Sequence, residues 1–261
     1  MEKKINYYSD ELNDDFAEDN DKIKPVKIDE NYKYIHKNIF WNIASIILYR
    51  IIFSIPVYIH IKIKYNFKVI NRKALKKEKK KGYFIYGNHT NEFLDPFFPT
   101  FISFPKRVYV IASSDNVSIP GLKIANRMLG ALPVPDNLKA SKNFIEAIKY
   151  HIRKSRVIAI YPEAHVWPYY TNIRNFKSVS FRYPVKYNAP IFTITNTYRK
   201  YKKKVQIVSH IDGPFYPSKD LTIKEAELEL RNKAYNIMKQ KAKNSNIEKI
   251  KYLPKSRFYN I

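Results

Sequence analysis

Residues 83–97 read YFIYGNHTNEFLDPF. The first four are apolar and aromatic without alternation, the pattern of a strand buried on both faces of a parallel sheet. At Gly87 the run stops, and a histidine, small polar residues and an aspartate follow within eight positions. Open α/β sheets bind ligands beyond the carboxyl ends of their strands, so a His/Asp pair at such a junction marks a candidate site.

Similar short apolar runs recur outward from this stretch, at 108–112, 157–161, 191–195 and 205–208. Between them lie helical patterns. Over 138–154, Leu138, Ser141, Phe144, Ile145, Ile148 and Ile152 share one face, and a helix over 223–242 opens with the capping box Thr222-Ile-Lys-Glu225. Strands alternating with helices predict an α/β fold, a mainly parallel sheet flanked by helices, occupying residues 83–261 as one domain. The run 157–161 ends in Pro162-Glu163, a second polar junction at a strand's carboxyl end.

The composition excludes several chemistries. The 261 residues include no cysteine, which removes disulfides, thiolate nucleophiles and Cys-based metal centres. Neither G-x-G-x-x-G nor a Walker A motif is present among the five glycines. His36, His60, His151 and His210 have no metal-ligand spacing, so no metal is expected. The net charge is +25, unevenly spread: residues 1–30 carry ten acidic and five basic side chains, the remainder 13 acidic and 43 basic. The acidic leader 1–30 is expected to be disordered, being too charged to bury much apolar surface. A basic body favours anionic partners, although a Lys-, Ile-, Asn- and Tyr-rich composition also follows from AT-rich codons.

Residues 31–82 form an apolar and then basic segment. NIFWNIASIILYRIIFSIPVYIHIKIK, residues 38–64, is the most apolar stretch, with Trp41, Ser45, Leu48, Ile52 and Ile55 along one face. Arg50 and Pro56 interrupt it, and Pro56 is expected to break it into pieces shorter than the about 20 residues a bilayer needs. Ten basic residues follow between Lys62 and Lys81. Apolar helix, aromatics near its start and a polybasic flank predict an amphipathic element anchored in a membrane surface, in preference to a buried core helix.

A histidine held in the correct tautomer by an aspartate removes a proton from a hydroxyl near neutral pH. Asn88-His89 through Asp95, then Pro162-Glu163, then Ala189-Pro190-Ile191-Phe192 resemble in order the motifs of the glycerolipid acyltransferases, the 1-acylglycerol-3-phosphate acyltransferase family, over roughly residues 38–210. The resemblance implies that an acyl thioester, on CoA or acyl carrier protein, is attacked by a lysophospholipid hydroxyl. His89 would be general base and Asp95 its orienting partner. Glu163 with Pro162 would bind the acceptor's glycerol backbone, and Asn88 and Thr90 count with the substrate-binding residues. Lys177, within Phe176-Lys177-Ser-Val-Ser-Phe181, would lie near phosphate or donor, and backbone N–H groups around Asn88–Asn91 would stabilise the oxyanion. No cofactor beyond the thioester is implied. The protein would sit peripherally or monotopically on the cytoplasmic face of a membrane, the bacterial cell membrane in the first instance, with phospholipids as partners.

Two departures stand out. Five residues separate His89 from Asp95 where the family has four; on a regular helix the extra residue turns Asp95 by about 100°. The second motif, Gly130-Ala-Leu-Pro-Val-Pro-Asp136, lacks the family's arginine, leaving Lys139 or Lys142 on the next helix for the acceptor phosphate. The aromatic group Trp167-Pro168-Tyr169-Tyr170 beyond His165 reads as a pocket wall or as ordinary packing. Two other classes of function fit parts of the chain. A basic nucleic-acid-binding protein leaves the apolar segment without a role and has no recognisable motif, so no nucleic acid is expected. A membrane-attached lipid-binding protein without catalysis is favoured only by the irregular His89/Asp95 spacing.

Overall fold

The structure, a computed structural model, describes residues 4–17, 25–119 and 121–255. Its main sheet has seven strands: β2 (Lys68–Ile70), β3 (Tyr83–Gly87), β4 (Val108–Ala112), β5 (Ala131–Pro133), β6 (Val157–Ile160), β7 (Ile191–Tyr201) and β8 (Lys204–Phe215). They lie in the order β2-β8-β7-β3-β6-β4-β5, parallel throughout except for the β7–β8 hairpin. The mainly parallel α/β fold is thus present, and β3, central and buried at all five residues, is the strand read first from the sequence.

Helices cover both faces. On one side α5 (Leu138–Arg153), α6 (Arg182–Tyr187) and α7 (Ile223–Ala242) close over Phe84, Tyr86, Ile158 and Ile160. On the other, α2 (Ile55–Tyr65) and α3 (Phe98–Ser103) close over Tyr83, Ile85, Val157 and Ala159. A short α4 (Lys123–Leu129) leads into β5. The sheet reaches back to Lys68, ahead of the expected start at residue 83, because β2 pairs with β8.

The apolar segment departs from expectation. Pro56 does not break it: α1 (Ile39–Ile47), a π-helical turn over Leu48–Ser54 and α2 run on as one helix, Ile39–Tyr65. The widened turn directly precedes α2, and Pro56 lies in the first turn of α2, the part of a helix that tolerates proline best. The continuous helix has 27 residues, long and apolar enough by length and composition to cross a membrane. Its protein-facing side is made by Ser45, Tyr49, Ser54, Val57, Ile61 and Tyr65. The outward side is isoleucine-rich, Ile43, Ile46, Ile47, Ile51, Ile52, Ile55, Ile59 and Ile63 all being exposed. So much uncovered apolar surface is unusual for a water-facing helix.

The leader also departs from expectation. Residues 4–8 form β1, paired in parallel with β9 (Ile250–Pro254). Tyr8 and Phe16 pack on Trp167, and Asp10, Asp14 and Asp15 accept backbone N–H groups rather than repelling one another in solvent. Two aromatic anchors and satisfied carboxylates outweigh the charge that argued for disorder. Residues 1–3 and 18–24 of that stretch lie outside the described residues.

Candidate active site

The site assembles where β3 and β6, hydrogen-bonded neighbours, end side by side. His89 Nδ1 lies 2.7 Å from Asp95 Oδ2. A carboxylate only accepts, so Nδ1 carries the proton and Nε2 is left with its lone pair, the arrangement of a general base. Asp95 is fully buried, and the same Oδ2 accepts the backbone N–H groups of Thr90 at 2.8 Å and Asn91 at 2.9 Å. Burial pushes the Asp95 carboxyl above its ordinary range, opposed by the ring and those two N–H groups. The His89 side chain remains partly open to solvent, at 18%.

The extra residue between His89 and Asp95 is absorbed by a turn. Residues 92–97 are non-helical, α3 begins only at Phe98, and Asp95 N–H donates to the Asn91 carbonyl at 2.8 Å. Asp95 therefore never sits on the regular helix that would have rotated it away. Tyr161, at the end of β6, stacks on the imidazole with ring centres 4.7 Å apart and donates from its hydroxyl to the Asp95 carbonyl. Gly87 makes room for that ring, since a Cβ there would stand 2.7 Å from Tyr161 Cε1.

Glu163 is placed behind His89 rather than in front of it. Its Oε2 accepts the His89 backbone N–H at 3.0 Å and its Oε1 the Arg174 N–H at 2.9 Å. The Arg174 guanidinium lies 3.7 Å from Oε2, with both side chains buried. Burial raises the Glu163 carboxyl's pKa, opposed first by Arg174. With its oxygens engaged inside the protein, Glu163 positions the histidine. The carboxylate expected to contact acceptor hydroxyls is engaged here by the His89 backbone and by Arg174, eleven residues on.

Asn88 and Thr90 are likewise turned inward. The Asn88 amide is clamped to the backbone of Asn196 by two bonds, at 3.0 and 2.8 Å, and Thr90 Oγ1 accepts the Tyr198 hydroxyl at 2.8 Å. Three of the four expected oxyanion donors are also committed, since His89 N–H goes to Glu163 and the N–H groups of Thr90 and Asn91 go to Asp95. Pro162, half-buried, sets the turn between Tyr161 and Glu163. Trp167 packs against Tyr8, Phe16, Tyr170 and Tyr252, so the aromatic group ties the catalytic loop to β1 and β9 instead of lining a pocket. Lys139, Lys142 and Lys177 are exposed. The first two stand at the start of α5, on the same edge of the sheet as His89 but three strands away, about 14 Å at the usual strand spacing. Sequence reading missed Tyr161, Arg174, Asn196 and Tyr198; Tyr161, immediately before Pro162-Glu163, was the one with a local signal.

A partly open histidine held by a buried aspartate at the carboxyl end of a central parallel strand is an arrangement chemically able to take a proton from a hydroxyl. The acyltransferase family model matches residues 66–197, just over half of the chain and the part that carries this site, and the chain belongs to that family. Among solved structures it is similar to the 1-acyl-sn-glycerophosphate (LPA) acyltransferase PlsC from Thermotoga maritima, with a TM-score of 0.55, 17% identity, and coverage of 80% of this chain and 83% of that one. At that identity the likeness establishes the fold. No curated protein sequence matches the chain.

Proposed function

We propose that this acyltransferase moves a fatty acyl group from an acyl thioester, on CoA or acyl carrier protein, to the free hydroxyl of a lysophospholipid, 1-acylglycerol 3-phosphate being the first candidate. The observation that carries the reading is the 2.7 Å contact between His89 Nδ1 and the buried Asp95 carboxylate. As the acceptor oxygen attacks the thioester carbonyl, its proton passes to His89 Nε2. The carbon–sulfur bond then breaks, the ester is released and the imidazolium returns the proton to the leaving thiolate. Asp95 stabilises the transient imidazolium, and no further cofactor takes part.

The choice of a lipid acceptor is supported by the uncovered apolar helix Ile39–Tyr65, which would hold the protein monotopically at the cytoplasmic surface of a membrane, bringing the acceptor to the site with its chain still in lipid. The kind of acceptor is supported by the likeness to a 1-acyl-sn-glycerophosphate acyltransferase. Lys139, Lys142 and Lys177 are the exposed cations we assign to the phosphates of acceptor and donor.

Transfer of a radiolabelled acyl group to lysophosphatidic acid in mixed micelles tests this, with acyl-CoA and acyl carrier protein donors offered separately. Wild type should transfer with at least one donor, and His89→Ala should lose about 10²–10⁴-fold in kcat. Silence from wild type towards lysophosphatidic acid, other lysolipids and glycerol 3-phosphate, with liposome binding intact, would overturn the catalytic reading in favour of lipid binding.

A further inference from the structure

At the opposite end of the sheet from His89, three arginines meet with no acid beside them among the described residues. Arg107 directly precedes β4, Arg156 directly precedes β6, and Arg127 lies in α4 just ahead of β5. All three line one narrow, partly open cavity of about 30 Å³ with His36, His151 and Tyr109, and among the described residues no Asp or Glu lines it. Among those residues, too, none of the three guanidiniums makes an ion pair. Their bonds go to neutral groups: Arg107 to Ser45 Oγ at 3.0 Å, Arg127 to the Lys33 carbonyl at 3.2 Å, Arg156 to Tyr109 Oη at 3.2 Å.

Donors are left over. The Nε atoms of Arg107 and Arg127 are buried without a hydrogen-bond partner. His151 is only 2% exposed, and its Nδ1 accepts from Arg156 at 3.0 Å, so the proton of the neutral ring is on Nε2, which is also buried and unpartnered. Desolvation, then Arg156 and Arg107, push the His151 pKa down to about 3, as expected of an uncompensated positive field. Three half-buried guanidiniums around a buried imidazole, with no acid among the described residues that line the cavity, call for an anion from outside the chain.

We propose that this cavity binds a single phosphate group, either the headgroup of an anionic lipid or free phosphate. The chemistry fits: arginine forks and an imidazole N–H match phosphoryl oxygens. So does the size. At the 10–15 Å³ that one water-sized atom requires, 30 Å³ admits two or three phosphoryl oxygens, so one phosphate enters with its remaining oxygen or ester turned to the open side. The place fits as well, because Trp41 and Ser45 of α1 form part of the wall and the outward face of that helix is the uncovered apolar surface. The cavity is distinct from the catalytic centre. Strand β6 lies between them: Arg156 directly precedes it and Tyr161, stacked on His89, directly follows it, about 16 Å away at the usual rise of a strand.

Thermal unfolding of the full chain in neutral detergent micelles tests the assignment. One arm titrates inorganic phosphate against sodium chloride of equal ionic strength; the other compares micelles doped with phosphatidic acid and with diacylglycerol. Wild type should show a rise in Tm that grows with the logarithm of ligand concentration above Kd, about 5 °C at a hundredfold excess. Arg156→Gln should weaken the response at least tenfold. His151→Phe keeps the stacked ring on Tyr109 but removes the Nε2–H donor, so it should weaken the response too and serves if Arg156→Gln fails to fold. A rise with phosphate alone identifies the free ion, a rise with phosphatidic acid alone identifies the headgroup, and either supports the site. No rise beyond the salt and diacylglycerol references, or an equal rise in the folded variants, overturns it.

Discussion

Replacing Glu163 by Gln separates a residue that binds substrate from one that positions the base. The carboxylate accepts two backbone N–H groups and faces Arg174 at 3.7 Å, all out of water. At an effective dielectric of about 20 that charge pair alone is worth about 4 kcal/mol of attraction. The substituted amide keeps the shape but turns one acceptor into a donor facing an N–H, and leaves the guanidinium unpaired. Breaking a buried pair from one side costs about 3–5 kcal/mol. Glu163→Gln should therefore lower unfolding free energy by about that amount in urea melts, and lower kcat through the displaced His89 backbone, with the acceptor KM nearly unchanged. Adding Arg174→Met removes the orphaned charge and should restore about 2 kcal/mol or more, a coupling that a double-mutant cycle reads directly. A raised acceptor KM with unchanged stability, and no coupling to Arg174, would return Glu163 to the substrate side and refute this account.

Asp95→Asn should cut kcat by about 10²–10⁴-fold with little change in KM, because an amide oxygen in the place of Oδ2 can still accept the three N–H groups but carries no charge to stabilise the imidazolium; steady-state acyl transfer decides, and a loss below tenfold counts against the pair. Ile47→Asp and Ile51→Asp, on exposed helix positions, should each weaken partitioning into vesicles about 10–100-fold while leaving urea stability unchanged; sedimentation with liposomes checks both. His151 and His210, buried with pKa values pushed down to about 3 and about 4, stay neutral in the fold while the unfolded chain protonates them below about 6.5. The unfolded state then holds more protons, so each histidine removes up to about 1.4 kcal/mol of stability per pH unit as pH falls from 6.5 towards its folded pKa. The raised carboxyls of Asp95 and Glu163 act in the opposite sense, so the measurement is the difference between wild type and His151→Phe in phosphate-free urea melts from pH 7.5 to 4.5. Parallel curves would contradict the buried, neutral His151.

Much of the architecture was legible because it is written locally. Unbroken apolar runs such as Val157–Ile160 have only one economical home, a strand covered on both faces, and their alternation with helical periodicity implies a parallel sheet. His89 and Asp95 were legible because they are six residues apart beside such a run, so any turn that reverses the chain there brings them together. What sequence periodicity cannot carry is the identity of a partner remote in the chain. Glu163 reads as a free carboxylate until Arg174 and the His89 backbone, 74 residues earlier, close around it. The leader reads as disordered until Trp167 and β9 supply surfaces for Tyr8 and Phe16. Helix Ile39–Tyr65 shows its apolar content in sequence, but only packing decides that Ser45, Tyr49 and Ser54 face the protein and the isoleucines face outward. The three arginines, scattered among many other basic residues, gain meaning only because the ends of β4, β5 and β6 lie side by side, with no carboxylate among the described residues that line the cavity. The sequence by itself determined five of the strands, the apolar content of the helix and the nearness of His89 to Asp95, whose determinants lie within a few residues of one another. The tertiary structure alone decided which charges are paired, which are buried and which face an open cavity, because electrostatics depends on distance in space rather than along the chain.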